Sequence, residues 1–231
     1  MPFIPSLSNL LMAGSRHRGE DRHAIGEFRK ERAEALTDGI FATVMTILVL
    51  SLVVPVITSG NVDGLLKSDL VSLLPNILTY VMSFLVLGTI WIGHNNIFRY
   101  LEDAGRKVQW INLMLLLSVG FIPFTTALLG RYPLDNTASL AYGINLLAVA
   151  IVYNLLFAYA LMRKLLHGEV EKRFFKRSLK RSSLGIAIYA LGIVFTFVSP
   201  KVSLALYVLM PIYYFANGVL MKGDVVGWEG S

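Results

Sequence analysis

A guanidinium, a carboxylate, an indole, an imidazole and an amide stand at the edges of three strongly apolar stretches of this sequence. Arg32 and Asp38 precede the first stretch, Trp91 and His94 close the second, and Asn112 opens the third. Polar side chains at such places are costly unless partnered. Packed side by side as helices, the three stretches are expected to bring Arg32, Asp38, His94 and Asn112 to one level and to join them in a hydrogen-bonded knot holding the first helix against the other two. Trp91 and His94, three residues apart, share one helix face. A different chemistry lies further along the first stretch. Gly39, Thr43, Thr46, Leu50 and Val53 recur at steps of four and three, so they line one face of a helix, with Ile47 at its edge. A lipid-facing stripe would be Leu, Ile, Val and Phe throughout. A stripe of Gly, two Thr and then Leu faces either a neighbouring helix, since small residues and Thr let membrane helices approach closely, or water on an axis shared by several subunits. Within a helix the Thr hydroxyl can bond to a carbonyl one turn back.

The elements that must position these residues follow from composition. The 231 residues are 55% hydrophobic and only 16% charged, with mean hydropathy +0.62; a soluble domain is nearer one quarter charged. Six apolar stretches of spanning length are present, at about 36–54, 73–98, 109–129, 139–162, 183–199 and 202–221. Inside lipid every backbone polar group must be satisfied within the fold, so the spans are helices. The expected fold is an all-α integral membrane protein with six transmembrane helices. Residues 1–24 read as a mobile basic cytoplasmic tail, 25–222 as the transmembrane domain and 223–231 as a C-terminal tail. The first span begins too late and runs too long for a cleaved signal peptide. Its helix is expected from about Ile25, Pro55 ends it, and Pro211 should kink the sixth span. Asn145, Tyr153 and Asn154 are expected to bond between helices. The charged stretch Arg163 to Arg181 reads as a solvated connector.

Net charge is +6, yet its distribution speaks against a nucleic-acid partner. Eighteen of the Lys and Arg residues fall before span one, in the second-to-third and fourth-to-fifth connections, and after span six, against three (Lys67, Arg131, Lys201) on the other side. That alternation places both termini in the cytoplasm and brings the basic side against anionic lipid. Enzymatic chemistry has no carrier. Asp38 is the one acid at the edge of a span, where an intramembrane aspartyl protease needs two. No zinc-protease, nucleophile-elbow or phosphate-loop motif occurs. His17 and His23 sit in a basic tail, which suits no metal, and no cofactor is expected. There is no cysteine.

Arg32-x-x-x-Leu36-Thr37-Asp38-Gly39, entering a span with Phe41-Ala42 behind it, resembles the signature of the transmembrane-protein-175 family of lysosomal and prokaryotic potassium channels. The family form is Arg, three residues, then Phe-Ser-Asp; here Leu36 replaces Phe, and Thr37 replaces Ser while keeping the hydroxyl. A Trp followed by His near the end of the second span, an Asn at the start of the third and Pro123-Phe124 near its outer end add to the resemblance. It implies a single-repeat prokaryotic member: a homotetramer, multi-pass in the plasma membrane, whose first helix from each subunit lines a pore for potassium, the permeant ion. By position after Asp38 the constrictions are then Thr43, Thr46 and Leu50, with Ile47 replacing Thr46 if the helix is rotated. Four Leu50 side chains make a ring able to stay dry, and four Thr46 hydroxyls stand in for part of a cation's water shell. No Thr-Val-Gly-Tyr-Gly filter is present. The competing reading is a membrane carrier or a non-conducting scaffold. A carrier is expected to show paired broken helices at mid-membrane in two repeats, whereas Pro123 and Pro211 lie near helix ends or in unmatched spans.

Overall fold

With no water to pair N–H and C=O groups in hydrocarbon, each apolar stretch closes its own backbone hydrogen bonds, and helices result. The computed structural model describes residues 7–54, 62–101, 103–163, 165 and 169–220, with side chains at 26, 28–54, 65–101, 103–163, 165 and 179–214. Its helices are α1 (Leu7–Leu48), α2 (Val62–Ser72), α3 (Leu74–Arg99), α4 (Arg106–Gly120), α5 (Ile122–Arg131), α6 (Asn136–Met162), α7 (Glu169–Thr196) and α8 (Pro200–Leu220). Five helical stretches within the described residues are long and apolar enough to cross a membrane: Phe28–Ser51, Leu65–Arg99, Arg106–Arg131, Asn136–Met162 and Leu179–Thr196. The chain is a multi-pass membrane protein. The expected sixth span coincides with α8, whose last turns lie outside the described side chains. Also outside are the side chains of the amino-terminal tail with His17 and His23, the first outer loop at 55–61, and everything from Met221 onward.

Proline sets the breaks. Val54 precedes Pro55 and is thereby biased away from helical angles. Pro55 has no N–H to return to the Ser51 carbonyl. The α-helix therefore stops at Leu48 and tightens into a 3₁₀ turn, Val49–Ser51, after which Leu52 is extended (φ −88°, ψ 94°). The expected third span is one membrane crossing but two helices. Pro123 cannot donate to the Val119 carbonyl, and the chain steps at Phe121 between α4 and α5. Likewise Pro75, in the first turn of α3, separates α3 from α2 at Leu73. Two expectations about helix extent change. Helix α1 begins at Leu7 rather than near Ile25, and α7 begins at Glu169, so much of the presumed connector is helix. Nothing in Leu7–Ala24 breaks a helix, there being no Pro and only two Gly, and the basic run Lys172–Arg181 is made of good helix formers.

Helix α1 packs on α3, α4 and α5; α6 packs on α4, α5 and α7; α8 closes against α7 and α3. One apolar core joins Phe41, Val44 and Leu48 of α1 to Leu87, Phe98, Leu115, Val119 and Leu156. A second surrounds Tyr142, Tyr189 and Tyr207. Outward-facing positions are apolar as well: Leu78, Leu117, Phe124, Leu155, Val194 and Phe197 are all exposed. Helices whose outer faces are oily gain nothing from hydrophobic segregation in lipid. Close packing and interhelical hydrogen bonds must hold them together.

Candidate functional site: a polar tie and an uncovered helix face

Three buried polar side chains tie α1 to its neighbours. Thr37 Oγ1 donates to the Ala33 carbonyl one turn back, 2.8 Å away. Its oxygen accepts from Asn112 Nδ2 of α4 at 2.9 Å. The Asn112 oxygen lies 2.9 Å from His94 Nε2 of α3. Since the amide nitrogen is directed at Thr37, the His94 ring donates through Nε2. The donors thus run in one direction, from His94 to Asn112 to Thr37 to backbone, and each side chain is at most 2% exposed. The His94 ring also stacks on Phe98, with centroids 4.2 Å apart.

A second tie lies on the exposed flank. Trp91 Nε1 donates to Asp38 Oδ1 at 2.8 Å. The four-residue knot expected from the sequence is therefore two ties, one buried and one not. Thr37 takes the place expected of Arg32. The Arg32 guanidinium instead lies over the Phe28 ring, 5.7 Å from its centroid, and Leu36 is half-exposed. With Arg29, Gln109 and Leu113, these residues border a hollow that reaches Asn112. Of the other expected bonding residues, Asn145 pairs with the Thr125 hydroxyl at 3.1 Å. Asn154 accepts from Ser182 at 2.7 Å and Ser183 at 3.2 Å. Tyr153 lays its hydroxyl against Gly93. The sequence reading passed over a third polar cluster, in which Thr126 donates to Ser83 at 2.7 Å and Ser83 meets the Tyr142 hydroxyl at 2.9 Å. Isolated Ser and Thr within apolar runs were its only trace.

Opposite its packed face, α1 presents the stripe. Gly39, Thr43 and Thr46 are exposed, and Ile47 and Leu50 are 46% and 72% exposed, while Phe41 and Leu48 on the other face are at most 1% exposed. Among the described residues, and leaving aside its own helix backbone and chain neighbours, nothing lies within 4 Å of the place a Gly39 Cβ would occupy. Among the described residues, none of the protomer's own helices covers the stripe. The Thr43 hydroxyl donates to the Gly39 carbonyl and the Thr46 hydroxyl to the Thr43 carbonyl, both at 2.8 Å. With each proton held by the helix, the hydroxyl oxygens retain lone pairs for a cation and offer no spare donor to an anion. Leu50 stands on the 3₁₀ turn, and Val53 lies beyond the last turn of the helix. The stripe thus runs as helix only as far as Ile47, and its far end is set by the turn before Pro55.

A family model described as "Endosomal/lysosomal potassium channel TMEM175" matches residues 32–123, which take in Arg32 through Asp38, Trp91, His94, Asn112 and Pro123. A protein of Streptomyces collinus named a potassium channel is 32% identical over 194 residues, covering 81% of this chain and 92% of that one. The chain belongs to the TMEM175 family. A potassium channel of Chamaesiphon minutus is also 32% identical, over 79% of this chain and 92% of its own length. A crystal structure titled as a lysosomal potassium-selective channel TMEM175 homolog from Chamaesiphon minutus superposes with TM-score 0.72 at 30% identity, covering 81% of this chain and 97% of that one. Membership of the TMEM175 family places the chain among ion channels and not enzymes. It also gives the two ties a context, because the matched segment begins at Arg32 and holds every residue of both.

Proposed function

We propose that this TMEM175-family chain is a potassium-permeable cation channel of a prokaryotic plasma membrane, assembled as a homotetramer of six-span subunits with cytoplasmic termini. Helix α1 of each subunit lines the pore. Its constrictions are rings of Thr43, of Thr46 or Ile47, and of Leu50, with Gly39 and Val53 at the two ends and no carbonyl-loop filter. The single observation that carries this reading is the uncovered stripe. A helix that buries Phe41, Val44 and Leu48 in its own bundle and leaves Gly39, Thr43, Thr46 and Leu50 outside has a face for sister subunits and the space between them. The names of the bacterial relatives point to the same ion. Thr oxygens without a ring of carboxylates favour cations modestly, and four Leu50 side chains make an apolar neck that closes by dewetting. The buried and exposed ties fix α1 against α3 and α4, so the pore wall is braced from behind.

The test is ion flux from proteoliposomes of purified protein under potassium and sodium gradients, with particle mass measured in the same detergent. A tetramer that passes potassium faster than sodium, without saturation or counterflow, supports the proposal. Saturable counterflow identifies a carrier, and a flux-free particle a scaffold; either result removes the channel reading.

A further inference from the structure

Away from α1, a cavity of about 250 Å³ lies between α3, α6, α7 and α8. Most of its wall is apolar, formed by residues such as Val86, Leu146, Val149 and Tyr189, with Pro211 of α8 also facing it. Two local features leave it open. Pro211 interrupts the hydrogen-bond ladder inside α8. Gly185 has no side chain to fill the gap, where the nearest atoms to its absent Cβ are Met210 Cε and the Tyr214 hydroxyl, each at 3.4 Å.

One end of the cavity differs in character. Arg181, Ser182 and Asn154 line it there. Tyr214 donates to the Arg181 carbonyl at 3.1 Å, and Ser182 donates to Asn154 at 2.7 Å, so this end is held in place. Arg181 closes the basic run Lys172, Arg173, Lys176, Arg177, Lys180, Arg181, at the cytoplasmic level by the distribution of charge. From Arg181 to Tyr189 the cavity follows α7 for roughly 12 Å into the membrane. Ile92, exposed on α3, stands in its lining and gives it a side facing outward.

An oily slot whose lining includes Arg181 at headgroup depth fits neither a small ion nor a polar metabolite. It matches a molecule with an acyl chain and an anionic head. We propose that this cavity holds one acyl chain of an anionic phospholipid of the cytoplasmic leaflet, with the phosphate at Arg181. The site does not depend on the channel reading, since α1 contributes nothing to it.

The experiment uses the full-length protein in nanodiscs containing phosphatidylglycerol with a diazirine on one acyl chain, followed by photolysis and peptide mapping. Adducts are expected at cavity residues such as Tyr189 and Tyr213. Gly185→Phe should abolish them while leaving adducts at the outward-facing Val194 and Phe197. Arg181→Gln, which needs no room and decides the matter if Gly185→Phe does not fold, should lower them by about fivefold. The proposal is overturned by adducts confined to Val194 and Phe197, by equal cavity labelling from the matching phosphatidylcholine probe, or by labelling that Arg181→Gln leaves unchanged. It is equally overturned if a diazirine fatty acid labels the cavity and the phospholipid does not.

Discussion

Thr37 is the side chain on which the buried tie turns, because it is both donor to its own helix and acceptor from the next. Thr37→Val preserves shape and removes the oxygen, leaving the Asn112 amide N–H buried without its acceptor. An orphaned buried donor costs ~1–3 kcal/mol in water-soluble proteins, but polar contacts between membrane helices average only ~0.6 kcal/mol because the unfolded chain in lipid also finds partners. We expect a loss of about 1 kcal/mol in thermal unfolding of purified protein, largely restored in Thr37→Ser. Asp38 is the contrasting case. Among the described residues it bonds to Trp91 on an exposed flank, so Asp38→Ala should barely change protomer stability and should reduce the yield of the proposed tetramer. Normal assembly together with normal flux in Asp38→Ala would refute a role for this tie. The same inequality explains why Arg32 and Thr37 exchange places relative to the sequence reading. A guanidinium can stay near water at the helix end, whereas the adjoining hydroxyl must bond internally once Thr37 turns inward.

At the scale of elements, α1 is a helix with two masters. One face is set by Phe41, Val44 and Leu48 in the core, the other by the uncovered stripe. The 3₁₀ turn before Pro55 decides where the stripe ends, placing Leu50 at its outer limit and removing Val53 from the helix. Leu50→Ala shortens the proposed apolar neck without disturbing the protomer, since Leu50 is 72% exposed there. Its expected effect is a several-fold rise in basal potassium leak from proteoliposomes, as dewetting of a widened ring weakens. Flux equal to the parent would remove Leu50 from the gate. Helices α4 and α5 carry the other element-level lesson. A hydropathy window sees one continuous span, while Pro123 divides the backbone into two helices that together are long and apolar enough to cross.

For the whole molecule, the two cores are stitched by different means. Around α1 the joints are amides and hydroxyls. In the second core glycines against tyrosine rings are added to the hydroxyl contacts of Ser83 and Tyr142, because Tyr207 lies so close to Gly143 and Gly192 that a methyl at either would collide with it. Tyr207 is fully buried and flanked by Tyr142 at 5.8 Å between centroids, so the ring has little freedom to retreat. Gly192→Ala is therefore expected to destabilise the bundle by ~1–3 kcal/mol, the usual cost of overpacking. It should do so without changing the buried tie, whose residues lie beside Ala33 and Phe98 of the other core. A lower midpoint in thermal unfolding with unaltered assembly checks both halves of that expectation.

By itself the sequence determined the all-helical membrane-spanning class, the places of five helical stretches long and apolar enough to cross, and the residues of the family signature. These depend on local quantities: runs of apolar side chains and backbone groups that must pair in hydrocarbon. The stripe on α1 was legible too, because helical periodicity alone puts Gly39, Thr43 and Thr46 in line. Which way that stripe faces was decided only by tertiary packing, since the same periodicity suits a neighbour inside the protomer equally well. Packing also chose Thr37 over Arg32 as the partner of Asn112, set Tyr207 against two glycines, and left the cavity beside Pro211 unfilled. Each of these depends on the distance between residues far apart in the chain, and spacing along one helix carries no information about that distance.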